Sequence, residues 1–318
     1  MDDSPARRWA TRSRGGQLYW RGLTMSRTVG RLGVPLVFAA LLVWTFAAPV
    51  TADPADSANS ALDGTPIRSV MVRLPQTAAT STQPLQVLLV LHGMGGNGPD
   101  FSRDLFDAAD RYGWVVVAPT IEYGDWTNPD VVAHEDPLLI QALSSYLDGL
   151  PQLAGTPMRR QLLILGHSRG AQLAHRFAEF RPERVLAVAA ISAGTYTMPE
   201  DANTFPFGVQ DMQQYAGHPF DAARFDNVAL WVAVGGQDTN PADLPHQWDN
   251  VEGSTRVQRA QAFEAALQEM GSNATLQVFA GAHHELTGEM RVAACDFLER
   301  QVIAAAPRRD LFAFDGLN

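Results

Sequence analysis

The sequence predicts a doubly wound α/β fold: a mostly parallel sheet with helices on both faces. Three observations carry that expectation. Short runs of leucine and β-branched residues alternate with amphipathic stretches of helical length across residues 66–305. The runs Leu85–Leu91 and Trp114–Pro119 are almost continuously apolar, as strands covered on both faces should be. The residues suited to chemistry stand just beyond the ends of such runs, where ligands bind in open parallel sheets.

In chain order, residues 53–65 are small and polar and read as a flexible tether. Ile67–Leu74 alternates and reads as a half-exposed strand near the sheet edge, and 75–84 as a polar loop. Leu85–Leu91 is a buried strand. Phe101–Tyr112 is an amphipathic helix with Asp100 as its N-cap, followed by the strand Trp114–Pro119 and a helix over Asp136–Leu150. Gln161–Leu165 is a strand that runs into a sharp turn and the amphipathic helix Ala171–Phe180. Val185–Ile191, Val228–Val234 and Thr275–Phe279 are further strands. Helices over Thr255–Met270 and about Thr287–Ala305 complete the alternation.

One connection breaks the rhythm. Residues 194–227 carry Tyr196, Met198, Phe205, Met212, Tyr215 and Phe220 without a period, and a long irregular connection inside a compact domain is usually functional. The segment reads as a lid or pocket wall that offers apolar surface to a substrate.

The chain is 318 residues long, 46% hydrophobic and 18% charged, ordinary for a globular protein with a substantial core. It contains no lysine; all 24 of its Lys+Arg positions are arginine. That excludes a Ser-x-x-Lys dyad, a phosphate-loop lysine and a pyridoxal Schiff base, each of which needs an amine. The lone Cys295 falls in an apolar helical run and reads as a buried, inert thiol. Arg27 and Arg31 precede an apolar segment, Leu32–Val50, and small residues then lead to Asp53. Residues 1–52 therefore read as a secretory signal peptide with a long lead, with Met25 as an alternative start; the competing reading is an uncleaved membrane anchor. Without residues 1–52 the chain keeps 17 basic and 32 acidic side chains, a formal charge of −15, which argues against nucleic acid and anionic membranes as partners.

Four strand ends carry candidate chemistry. His92-Gly93-Met94-Gly95-Gly96 follows the first buried strand and Gly166-His167-Ser168-Arg169-Gly170 the third. Gly235-Gly236-Gln237-Asp238 and Gly281-Ala282-His283-His284-Glu285 follow the last two. In G-x-S-x-G the serine sits at the apex of a strained turn, and glycines two residues either side avoid backbone collision. The pattern alone is weak, arising by chance in roughly one chain of this length in ten. Its setting is more specific: a serine hydroxyl needs a base, the base needs an orienting acid, and the oxyanion needs two aimed donors.

With Ser, Asp and His in that chain order and a glycine-rich loop ahead of the serine, residues 66–305 resemble the α/β-hydrolase family. The resemblance implies the α/β-hydrolase fold, with Ser168 as nucleophile, Asp238 as acid and His284 as base. It also implies an oxyanion hole from the amides of Met94 and Arg169. Asp243, Asp249 and Glu285 are less well placed rivals for the acid, and His283 is the rival base. Gly95, Trp126, Tyr196 and His283 are candidate pocket residues; Trp126 follows a strand end. His92 and His167 read as scaffold hydrogen-bonders. The Arg169 side chain departs from the glutamine or methionine common at that position, and either pairs with a carboxylate or touches the substrate. No metal-ligand spacing is found and no cofactor is implied.

The reading that follows is a secreted serine hydrolase of small or polymeric carboxylic esters. A peptidase or amidase of the same fold and a non-catalytic binding protein on that scaffold are the alternatives.

Overall fold

The computed structural model describes residues 17–18 and 60–306. The expected leader, apart from Gln17 and Leu18, its cleavage point, and residues 53–59 of the tether lie outside the described residues. The described end of the tether, residues 60–65, forms hydrogen-bonded turns, with Asp63 N–H on the Ser60 carbonyl and Thr65 N–H on that of Leu62.

The described strands form one sheet: β1 (Gln17–Leu18), β2 (Ile67–Arg73), β3 (Leu85–Leu91), β4 (Trp114–Ile121), β5 (Met158–His167), β6 (Val185–Ile191), β7 (Ala229–Gly235) and β8 (Thr275–Phe279). Their spatial order is β1-β2-β4-β3-β5-β6-β7-β8. β1 and β2 pair antiparallel and β3 to β8 run parallel. From β3 the chain moves outward to β4 and then returns to β5 on the other side of β3. Connections that leave neighbouring strands in opposite directions open a crevice at their carboxyl ends, and here the crevice lies between the ends of β3 and β5.

Alternate side chains enter two cores. Leu89, Leu91 and Ile164 pack with Leu139, Leu143, Phe177 and Phe263, whereas Leu88, Val90 and Leu165 pack with Leu105, Ala109, Met290 and Leu298. A strand with apolar groups at every position fits only where both faces are covered, which is why β3 is buried throughout. β2 is more buried than its alternation suggested, with only Arg68 and Ser69 exposed, because both cores extend over it.

Two helix starts differ from expectation. Asn97 caps α1 (Gly98–Ser102), its side chain accepting from Asp100 N–H, so Asp100 lies inside the first turn rather than at its head. A 3-10 turn and α2 (Phe106–Tyr112) follow. The long helix α3 spans Pro129–Ala154, seven residues earlier than expected, because Asn128 caps it and Pro129, with its φ already helical, opens it. Pro137 and Pro151 are accommodated inside it.

The helix after the serine, α4 (Arg169–Phe180), is buried at all twelve positions, Arg169, Gln172, His175, Arg176 and Glu179 included. Its polar residues face α3 and the segment after β6 instead of water. That segment is also where the lid expectation fails. Tyr196, Met198, Phe205, Met212 and Phe225 are buried in the first core; Tyr196 stacks on Phe263 at 4.4 Å and Phe205 meets Phe180 edge-on at 5.3 Å. Its apolar groups close the core over α4 and leave Tyr196 no surface with which to line a pocket. The segment contains α5 (Met212–Ala216) and α6 (Ala222–Phe225); α7 (Asp249–Glu252), α8 (Arg256–Glu269) and α9 (Gly288–Ala305) follow.

Cys295, on α9, is buried, and burial pushes its thiol up to about 12. It should resist a disulfide thiol reagent in the native protein and react once the chain is unfolded in guanidinium; stoichiometric native labelling at neutral pH would contradict this. Gly170 offers a harsher test. A methyl group there would lie 2.1 Å from the Leu91 carbonyl oxygen. Gly170→Ala should therefore cost more than about 4 kcal/mol by urea titration, at the exceptional end of single substitutions.

Candidate active site

The turn between β5 and α4 places Ser168 in a conformation that a side-chain-bearing residue rarely adopts, φ 54° and ψ −119°. Its N–H donates to the Ile191 carbonyl at 2.9 Å, pinning the turn to the end of β6. The glycines are required by contact: a methyl group on Gly166 would lie 2.3 Å from the Gly170 carbonyl oxygen.

Three of the four strand ends converge on this serine. His284 Nε2 lies 2.9 Å from Ser168 Oγ, and His284 Nδ1 lies 2.7 Å from Asp238 Oδ2. With Nδ1 protonated and donating to the carboxylate, Nε2 is left as the acceptor for the serine hydroxyl. Of the adjacent histidines, His284 makes both contacts and His283 is exposed. Among the rival acids, Asp249 pairs with Arg259 and His246, and Glu285 is exposed. The loops that bear Asp238 and His284 are stitched together: Gly236 N–H donates to the Phe279 carbonyl at 2.8 Å and Gln237 N–H to that of Ala282 at 2.9 Å.

Asp238 has a second partner that sequence reasoning missed. Arg256, the first residue of α8, donates from Nη1 to Asp238 Oδ1 at 3.0 Å, and both side chains are buried. Burial alone would raise the Asp238 carboxyl. The hydrogen bonds and charges of His284 and Arg256 outweigh it and hold the group below its usual 3.8.

The fourth strand end, after β3, supplies a tight turn closed by Gly96 N–H on the Gly93 carbonyl at 3.2 Å, with Gly95 at φ 68°. It lies against the serine: a methyl group on Gly93 would come 3.3 Å from Ser168 Cβ. The next residue, Met94, is 46% exposed. His92 holds the turn, with Nδ1 2.7 Å from the Gly93 carbonyl and Nε2 accepting from Ile121 N–H at 2.9 Å. His167 has a different place. Its ring stacks between Phe101, at 6.3 Å, and His284, at 5.3 Å. Burial, with His284 beside it, lowers it to about 3, so it stays neutral next to His284.

Trp126, half-buried beyond β4, lays its ring edge against Gly194, where a methyl group would clash at 2.6 Å, and close to Gln172, one turn along α4 from Ser168. Tyr196 belongs to the core.

The Arg169 side chain turns away from Ser168 and is 1% exposed. Its guanidinium donates to Asp136 through both terminal nitrogens and to Glu135 Oε1 at 3.1 Å, and lies 4.8 Å over the Tyr123 ring. Pairing with a carboxylate, rather than substrate contact, is the outcome for this residue.

Solved structures share the architecture. Poly(aspartic acid) hydrolase-1 from Sphingomonas sp. KT-1 superimposes with a TM-score of 0.55 at 22% identity, over 73% of this chain and 92% of that one. The carboxylesterase of Bacillus cereus does so with a TM-score of 0.52 at 12% identity, over 77% and 99%. The chain has the α/β-hydrolase fold. A third structure with this fold, the Thermus thermophilus protein TT1662, has a TM-score of 0.50 at 20% identity over 74% of this chain and 93% of that one. No family model matches the chain, and no curated protein is similar to it in sequence.

The Asp238 contacts fix the sign of a pH effect. A carboxyl held below its unfolded value stabilises the fold above that value and loses the contribution as pH falls through the folded one. The melting-temperature advantage of the native protein over Asp238→Asn should be full above about pH 5 and narrow as the pH falls through 3.8 and below. A difference that stays constant from pH 7 to 3 would contradict this assignment.

Proposed function

We propose that this protein is a secreted serine hydrolase that cleaves carboxylic esters through an acyl-enzyme, with Ser168 as nucleophile, His284 as general base and Asp238 as the orienting acid. The observation that carries the reading is the hydrogen-bonded chain from Ser168 through His284 to Asp238 and Arg256.

In the first half-reaction His284 Nε2 takes the Ser168 proton as Oγ attacks the ester carbonyl. The resulting imidazolium keeps its Nδ1–H on Asp238, whose charge is secured by Arg256. The oxyanion is received by the backbone N–H groups of Arg169 and Met94, from the start of α4 and the glycine turn against Ser168. His284 then returns the proton to the departing alkoxide, and water, deprotonated by the same nitrogen, releases the acid. Each oxyanion donor contributes on the order of 3 kcal/mol in enzymes of this kind. His167, neutral and stacked on His284, adds no second positive charge where the imidazolium forms. Trp126 over Gly194 lines the site beside the serine, and substrates are small or polymeric esters. The leader read in residues 1–52 exports the enzyme. The carboxylesterase that shares the fold accords with this reaction class.

Purified protein should hydrolyse p-nitrophenyl acetate and butyrate and should take up a fluorophosphonate probe at one residue. Ser168→Ala should abolish labelling and lower kcat by roughly four to six orders of magnitude. Turnover that survives the substitution would overturn the assignment.

A further inference from the structure

Beneath the proposed nucleophile lies a charged cluster that the reaction above does not use. Asp136, on α3, is fully buried and is shared by two arginines of α4. Arg169 and Arg176 are seven residues apart, two turns along one helix face. Arg176 Nη1 donates to Asp136 Oδ2 at 2.8 Å, its Nε to Thr197 Oγ1 at 2.9 Å and its Nη2 to Thr195 Oγ1 at 2.9 Å. Glu135, which also holds Arg169, accepts Gly124 N–H through Oε2 at 2.7 Å. One carboxylate pair therefore ties α4 to α3, to the loop beyond β4 and to the segment beyond β6.

Burial of this kind has a high desolvation cost, and well-packed apolar side chains of similar volume often hold a fold as well or better. The arrangement calls for a reason other than stability, and its position offers one. Arg169 is the residue whose backbone N–H faces the oxyanion in the reading above, and its side chain is the one clamped. The turn before it is strained at Ser168, and a strained turn relaxes unless its surroundings over-determine it. An oxyanion donor must be held to within roughly half an ångström of its working position.

We propose that the Arg169 side chain, gripped by Asp136 and Glu135, is a positioning device for the oxyanion hole: it anchors the first turn of α4 so that the Arg169 N–H keeps its aim during attack. The inference rests on Ser168 being the nucleophile. Tyr123, whose ring the guanidinium covers, closes the remaining side of the clamp.

Arg169→Met is the informative change, because Asp136 keeps Arg176 as its counter-ion. Active sites are counted by fluorophosphonate titration, and rates on p-nitrophenyl butyrate are expressed per titrated site. We expect kcat to fall roughly tenfold or more with KM changed less than twofold, the signature of an interaction made in the transition state. Affinity for a trifluoromethyl ketone, which forms a tetrahedral adduct on the serine, should fall by the same factor. A purely structural role would lower the melting temperature and the number of titratable sites but leave turnover per site alone. A kcat per site within twofold of the native value, with unchanged ketone affinity, overturns the proposal. If Arg169→Met does not fold, Glu135→Ala decides: it keeps the buried Asp136 pairs and removes the Glu135 acceptor from Arg169, and kcat per site should fall about threefold at constant KM; native kinetics there overturn the clamp. A native protein that takes no probe overturns the nucleophile reading, and the clamp with it.

Discussion

The close approach of α4 to β3 and β5 is the constraint on which the rest of this structure depends. Gly170 packs directly on the Leu91 and His92 carbonyls, and Gly166 on that of Gly170. With no side chain at either point, strand, turn and helix stack at backbone contact, and Ser168 is forced to a positive φ at the head of the crevice. The glycine turn after β3 then has only one place to go, against the serine, and β6 receives the serine N–H. A gap of one methyl group anywhere in this stack would separate elements that have to touch.

A second consequence concerns the polar residues of α4. A helix pressed this closely onto a sheet and covered by α3 and the segment after β6 has no face left for water. Its arginines, histidine and glutamate must find partners inside the protein or bear the cost of burial. Arg169 and Arg176 find Asp136, Thr195 and Thr197. His175 places Nδ1 3.0 Å from the Ala171 carbonyl and accepts Thr197 N–H at Nε2. Glu179 finds no hydrogen-bond partner, and burial holds its carboxyl well above the ordinary range. The segment after β6 is thus shaped by what lies under it as much as by anything it presents outward.

The sheet was legible in the sequence because its strands are nearly pure apolar runs of the right length, and β3, β6 and β8 have the bounds that hydropathy alone suggests. The meeting of Ser168, Asp238 and His284 was legible because topology confines useful side chains to strand ends, so residues remote in sequence could be compared as neighbours. What escaped was side-chain pairing between elements. Arg256 and Asp136 sit within helical stretches that look like solvated surface, and only the packing of α8 and α3 turns them inward. The signals were faint but present: arginines spaced seven apart on the helix after the serine, and Asn128-Pro129 as cap and first turn ahead of the expected helix start. The segment 194–227 was misread for the converse reason, since aromatic residues without a period look alike whether they face a substrate or a core.

The absence of lysine gives the buried network a property that its geometry alone does not. Every side-chain cation that holds a carboxylate here, from Arg256 at Asp238 to Arg176 and Arg169 at Asp136, is a guanidinium, which keeps its proton where an ammonium in the same place would release it. The buried carboxylates around Ser168 are therefore held by groups whose charge survives well into the alkaline range.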